Sequence, residues 1–538
     1  MILLRHFSLP LVAREMRSQA RSKGAFVLRC LVVLGLLAPM VIWGALNRGR
    51  LDGGAGWFAF LSCVIFYGLM ILSPMIVAGC LTSEREGGTL GLLFLSSLRS
   101  LDIVTGKFTS NILYLLVIAI AGFPVLATTI MMGGVTWAQV TGAGISILSL
   151  LVSTVGAAVF ASAVCLRTQP AVMLTYFYVG ILNFGIPTLN AWLNYKFNIS
   201  LPDWAMQFSV SNSIAEQFTW THPNYLSWAG WTFAFAGAQA VIFLGIAAWW
   251  LPGTLAVTGQ ESLWRWKWRH RAARHFVTFG RWGTRIRNRN PLLWLEWRRL
   301  TVASLATIVF VLVGGICWLG TYIGNNDSVW AAVALGIPCH IIVAALAVSG
   351  ICREVSRERR ERTLELLLCT PLEERSIVWA RFKGAWLRYG MLYIAISIPA
   401  FVATFWFYFS DTVSTGDQEM VGIALLEFVE DFSFFCMAFA VSFRMALFSK
   451  TATSAILRSV ATIAGVILGW GFAAYAAIAF VSMSRLFTGG TGSEDFLYVC
   501  MYGMFIIKII IEFVIFRMLM GRLPDQLREQ CGLSSDAM

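Results

Sequence analysis

Residues 84–108 read EREGGTLGLLFLSSLRSLDIVTGKF, and residues 358–382 read ERRERTLELLLCTPLEERSIVWARF. Laid over one another without a gap, they agree at Glu84/Glu358, Arg85/Arg359, Thr89/Thr363, Leu90/Leu364, Leu92/Leu366, Leu93/Leu367, Leu98/Leu372, Ile103/Ile377, Val104/Val378 and Phe108/Phe382. Each copy follows the second of six long apolar runs. The chain therefore divides into two halves of the same order and orientation, a parallel repeat. A weaker echo sets Leu9, Pro10, Leu11, Glu15 and Arg17 against Asn290, Pro291, Leu292, Glu296 and Arg298, ahead of the first run of each half.

The runs fall near 25–46, 57–79, 108–132, 138–166, 170–190, 227–250, 301–323, 329–351, 384–409, 421–447, 455–483 and 498–520. With 58% of 538 residues apolar, 13% charged and a mean hydropathy of +0.72, a water-soluble fold is excluded. Each run supplies about the 20 residues with which a helix crosses hydrocarbon, and is far too long for a barrel strand. The expected fold is thus an all-α membrane protein, twelve transmembrane helices in two parallel six-helix repeats. The expected domains are a first half over 1–250, a basic linker over 251–290, a second half over 291–520 and a tail over 521–538.

The formal charge is +13. With both termini cytoplasmic, 36 of the 41 Lys and Arg lie on inward segments and 4 on outward ones, namely Arg48, Arg50, Lys196 and Arg485. Basic residues resist translocation, so this bias fixes the orientation and removes most support from a nucleic-acid partner. The linker stretch LWRWKWRHRAARH at 263–275 interleaves Trp264, Trp266 and Trp268 with Arg265, Lys267 and Arg269. Such a pattern sits at a headgroup layer with its cations on anionic lipid, and 263–289 is read as a lipid contact. The eleven cysteines form no C-x-x-C pair and read as small packing residues.

Within the first copy, Ser83 and Glu86 have the spacing of a capping box. Leu90, Leu93, Phe94 and Leu98 then recur at helical spacing, which predicts a short amphipathic helix lying along the inner surface. The second copy is more charged, with six Arg and six acids from Cys352 to Arg375. Arg357/Glu361 and Glu358/Arg362 are spaced to pair along a helix, which predicts a solvated element entering a soluble partner.

These stretches resemble the type-2 permeases of ATP-binding-cassette (ABC) transporters, whose pattern after the second span is E-x-E-x-G-T-L-x-x-L-L-x-x-P-L. Glu84, Glu86, Gly88, Thr89, Leu90, Leu92 or Leu93, and Leu98 match it, with Ser97 where the family usually has proline. The second copy keeps Glu358, Thr363, Leu364, Leu367, Pro371 and Leu372, with Arg360 and Arg362 in place of Glu86 and Gly88. The family's N-P-L-x-x-x-E-x-R motif appears as Asn290, Pro291, Leu292, Glu296 and Arg298, and Gly133-Gly134-Val135 is a further family habit.

The resemblance implies that Glu84, Arg85, Glu86, Thr89, Leu90, Leu93 and Leu98 form one ATPase-coupling helix. Glu358, Arg359, Thr363, Leu364, Leu367 and Leu372 form a second. It implies an ABC-type ATPase partner, in two copies, that binds ATP and Mg, and an exporter in a bacterial inner membrane. The chain itself has no catalytic site, metal or cofactor in this reading. It lacks G-x-x-x-x-G-K-[ST], since Gly106-Lys107 is followed by Phe108. Twelve spans in parallel halves also describe a secondary transporter of major-facilitator layout, although 79–88 lacks that family's aspartate and terminal basic pair. A non-transporting scaffold is the third class.

Several ionisable residues fall inside the runs. Glu427, Glu430 and Asp431 share a helical face and are placed near the outer headgroups, with a cation-attracting vestibule as the functional alternative. Lys508 and Glu512 are one turn apart and are expected to pair, either structurally or on a substrate or proton path. His340 reads as a packing histidine, and Arg29, Arg388, Arg444 and Arg517 as headgroup anchors. In the resembled family the outward loop at 191–226 would carry short helices shielding an exit.

Overall fold

The computed structural model describes residues 54–95, 99–165, 168–217, 225–258, 328–370, 372–394, 418–449, 451–467 and 494–530, with isolated positions at 12–41, 291–292 and 469–470. Among the described residues the regular elements are helical and none is a strand. Contacts divide the chain into two compact units, Met1–Glu261 and Ser262–Met538. The lipid-contact stretch 263–289, the run at 301–323 and Leu98 lie outside the described residues.

Five helical stretches are long and apolar enough to cross a membrane: Gly54–Glu86, Ser100–Met131, Trp137–Val164, Leu226–Pro252 and Val429–Phe448. The chain is an all-α membrane protein. Of the other expected runs, 25–46, 384–409 and 455–483 are described only in part.

In the first unit, α1 (Gly54–Val77) leads into two short helices, α2 (Thr82–Glu86) and α3 (Leu90–Leu95), and then into α4 (Ser100–Met131). The last of these starts eight residues before the apolar run that begins near 108. Asp102 explains the early start, because its Oδ2 accepts from the Arg99 amide at 3.0 Å and sets a carboxylate in the first turn of the helix. After α4, Gly133 and Gly134 both take positive φ, +84° and +80°, a turn that side-chain-bearing residues resist. Thr136 and Gln139 then cap α5 (Trp137–Val164) reciprocally, the Thr136 amide donating to Gln139 Oε1 at 2.8 Å.

The run at 170–190 is not one plain helix. It forms α6 (Thr168–Gly180), a π-turn at Ile181–Gly185 and α7 (Ile186–Phe197), so helix extends into the expected outward loop. That loop continues as α8 (Asp203–Met206) and α9 (Val210–Glu216) before α10 (Tyr225–Thr258). The expected short helices are present, and α9 is tied into the rest of the unit. Val210, Ser213, Ile214 and Gln217 are buried, Ser213 Oγ lies 2.9 Å from Ser146 Oγ, and Gln139 Nε2 donates to the Gln217 carbonyl at 3.3 Å. Helix α9 belongs to the interior of the first unit, whereas α8 has no buried residue and Trp204 on it is exposed.

The central element of that unit is α5, which packs against α1, α4, α6, α9 and α10. Its sequence explains this, because Gly142, Ser146, Ser149, Ser153, Gly156, Ala157, Ala158 and Ala161 leave room for neighbouring backbones. Apolar surface gives little net drive between helices in lipid, so close packing and hydrogen bonds hold them together. Ser73 donates to Thr154 at 3.1 Å, and Ser153 and Tyr178 both donate to Gln239 Oε1 at 3.1 and 3.0 Å.

In the second unit, α11 (Ser328–Arg360) runs on without a break through Cys352. The charged stretch 352–360 is therefore the end of this long helix and not a separate element. It is followed by α12 (Thr363–Leu368), α13 (Glu374–Ala385), a π-turn at Trp386–Gly390, α14 (Gln418–Phe448), α15 (Ala452–Ile467) and α16 (Glu494–Gln530). The core here is α14, packed on α11 and α16.

A Cβ at Gly156 would lie 3.0 Å from Ala240 Cα, so a side chain there must push α10 away from α5. Gly156→Val is expected to destabilise the first unit by about 1–3 kcal/mol, measured as a lower unfolding midpoint in detergent. An unchanged midpoint would contradict this packing.

Candidate functional site

The two matched segments adopt the same local structure. Helix α2 ends at Gly87-Gly88, where Gly88 has φ +70°, and α11 ends at Glu361-Arg362, where Arg362 has φ +54°. These are equivalent positions of the alignment, so an arginine holds a left-handed turn that the other copy gives to glycine. After each turn a threonine reaches back: Thr89 Oγ1 donates to the Glu84 carbonyl and Thr363 Oγ1 to the Glu358 carbonyl, each at 3.2 Å. The short helices α3 and α12 follow.

The motif glutamates are tied to the next helix. Glu84 pairs with Lys107 on α4 at 3.1 Å, and Glu358 pairs with Arg381 on α13 at 2.7 Å. Lys107 and Arg381 occupy equivalent positions in the alignment, a match that identity alone passes over because the two side chains differ. The Glu358/Arg362 pairing along one helix is thus replaced by a cross-helix pair, whereas Arg357 and Glu361 do approach, at 3.8 Å.

The motif arginines close the ends of neighbouring helices. Arg85 donates to the carbonyls of Cys165 and Ala163 at 2.6 and 3.1 Å, at the end of α5. Arg359 donates to the carbonyls of Leu447 and Ser449 at 2.5 and 3.2 Å, at the end of α14. The last carbonyls of a helix have no partner within it, and a cation there also favours the helix dipole. In both cases the acceptors are the residue before the helix's last and the residue after it.

The first segment is anchored further. The amides of Leu81 and Thr82 donate to Ser162 Oγ at 2.9 and 3.0 Å, so the start of α2 is capped from α5. Ser83 lies inside α2 and forms no capping box with Glu86. Glu86 instead accepts from the Thr168 amide and hydroxyl, both at 3.1 Å, and so caps α6. Arg360 stands at the equivalent position of the second segment and is not such an acceptor. There the support is apolar: Leu292 of the N-P-L motif packs with Ile377 and Ala380, and Leu367, Leu368 and Leu372 lie against that cluster.

The apolar faces differ from the expected stripe. Leu90 and Leu364 are buried, at 1% and 4% exposure, while Leu92 and Leu366 stand out at 65% and 68%. Leu93 and Phe94 are half-buried and Leu95 is exposed. Each segment thus buries one leucine and presents another two residues on.

A second group of ionisable residues meets between α11, α14 and α16. Lys508 reaches across to Glu430 and not along its own helix to Glu512. Glu512 meets Ser433 at 2.5 Å, and His340 Nε2 lies 3.0 Å from Asp431 Oδ2. Glu427 is on the same helix as Glu430, and its side chain lies outside the described residues. His340 is therefore a carboxylate partner, and the expected Lys508/Glu512 pair is replaced by two cross-helix contacts. Arg388 is not a headgroup anchor either, because Glu354 holds its guanidinium at 3.0 and 3.4 Å. Arg444 lies over the Phe448 ring at 6.0 Å, and Arg517 is exposed.

Compared with known proteins, the chain matches no family model and no curated protein.

A left-handed conformation costs a residue with a side chain roughly 1–2 kcal/mol, which glycine avoids. Arg362→Gly is expected to leave the turn in place and raise the unfolding midpoint of the chain, whereas Gly88→Arg is expected to lower it. Equal effects of the two substitutions would contradict the shared turn.

Proposed function

We propose that the chain is the permease of an ABC-type transporter, an exporter whose ATP-hydrolysing step belongs to a separate ATPase subunit in two copies. In this reading α2–α3 and the end of α11 with α12 are coupling elements on the cytoplasmic side of a bacterial inner membrane. Twelve spans in two parallel halves, with both termini cytoplasmic, complete the arrangement.

One observation carries the reading: an exposed leucine at the same register of two segments that are fixed by the same contacts, Leu92 and Leu366. Apolar side chains held rigidly at a surface are suited to pockets on a partner, where a few such anchors supply most of the binding energy. The fixed turns and ion pairs around them make each segment a lever able to pass on a push as rigid-body motion. Two like surfaces suit two copies of one partner.

The test is retention of an ABC-type ATPase by the tagged chain purified from its native membrane. Leu92→Glu combined with Leu366→Glu is expected to cut retention at least tenfold, about 1.4 kcal/mol, while the chain stays folded in the membrane. Retention unaffected by both changes, or transport that proceeds without ATP, would overturn the proposal.

A further inference from the structure

The layer between α11, α14 and α16 holds three carboxyl groups, Glu430, Asp431 and Glu512, facing Lys508 and His340. Tyr393 adjoins it, its ring 5.9 Å from that of His340 and within electrostatic reach of Asp431 and Glu512. The ammonium of Lys508 is bonded to Glu430, and the His340 ring to Asp431. Glu512 meets a hydroxyl instead, and it is the most enclosed of the three acids, at 2% exposure. An ionised carboxylate in that position would be a buried anion hydrogen-bonded, among the described residues, only to a neutral serine, with the Lys508 charge acting on it through space while its ammonium is bonded to Glu430, an arrangement that buried charges avoid by taking up a proton.

The hydrogen count at Ser433 leads to the same state. Its Oγ lies 2.9 Å from the Glu430 carbonyl oxygen and 2.5 Å from Glu512 Oε2. A serine hydroxyl has one hydrogen to give, and a carbonyl can only accept. Both contacts are satisfied together when that hydrogen goes to the carbonyl and Glu512 supplies the other.

We propose that Glu512 is a proton-binding site: it is held as the un-ionised carboxylic acid, donating to Ser433 Oγ, which in turn donates to the Glu430 carbonyl. The bound proton joins α14 to α16. Its loss would add a negative charge to the layer that Lys508 and His340 face and would turn the Ser433 contact from an acid-to-hydroxyl bond into a competition for one hydrogen. The second unit thus has a proton-linked contact between two of its core helices. This inference stands on the second unit's own geometry and is independent of the transport reading.

Infrared absorption of the full chain in lipid vesicles at neutral pH tests it. The carbonyl stretch of an un-ionised carboxyl is expected in the wild type, shifted in heavy water, and diminished in Glu512→Gln, whose neutral amide can still donate to Ser433 and keep the fold. Dicyclohexylcarbodiimide gives a second readout on the unaltered chain. The reagent takes the carboxyl proton onto one of its nitrogens while the carboxyl oxygen bonds its central carbon, so it selects protonated acids in apolar surroundings. Mass spectrometry is expected to find the adduct on Glu512. A carbonyl band identical in wild type and Glu512→Gln, or an adduct on Glu430 or Asp431 in place of Glu512, would overturn the proposal.

Discussion

The contact on which the candidate site depends is an arginine guanidinium laid across the last carbonyls of a neighbouring helix. Arg85 does this to α5 and Arg359 to α14. Both acceptor helices are the central elements of their units, so each segment is fixed to the helix around which its unit packs. The bond satisfies carbonyls that the helix itself leaves open, and in an apolar protein those groups have few other donors. The threonine turns fix the shape of each segment, the glutamate pairs tie it to the next helix, and the arginine ties it to the central one.

The two units reach internal cohesion by different chemistry. Described contacts inside the first are mostly between hydroxyls and amides, such as Ser73 with Thr154 and Ser153 and Tyr178 with Gln239. Inside the second, carboxyls, a lysine and a histidine meet between α11, α14 and α16. Neutral polar contacts in a bundle each add modestly to stability. Charged ones add less on balance, because desolvation opposes them, and they are more often kept where a change of state matters. The supports of the two matched segments divide similarly, with Ser162 and Glu86 caps in the first and the Leu292 cluster in the second.

Much of this was legible from the chain. Apolar content marked a helical membrane protein, and the alignment of 84–108 with 358–382 picked out segments that share a turn, an ion pair and a clamp. The reading failed where a side chain had a choice of partner. Ser83 and Glu86 have capping-box spacing, but the Ser83 amide goes to the Gly79 carbonyl and Thr168 on another helix takes the Glu86 carboxylate. Lys508 has both Glu512 on its own helix and Glu430 across the bundle, and spacing along one helix cannot weigh the second. Helix ends were missed for a related reason: hydropathy locates apolar residues, whereas Asp102 and the charged end of α11 extend helices beyond them. Lys107 and Arg381 could have been found by matching charge instead of identity.

Amide hydrogen exchange over 81–95 and 358–370 tests the clamp most directly, because it reads the positional order of each segment peptide by peptide. Both stretches are expected to exchange slowly in the wild type. Arg85→Ala is expected to speed exchange in 81–95 alone, and Arg359→Ala in 358–370 alone. Rapid exchange of both segments in the unaltered chain, or exchange that neither substitution moves, would contradict the account.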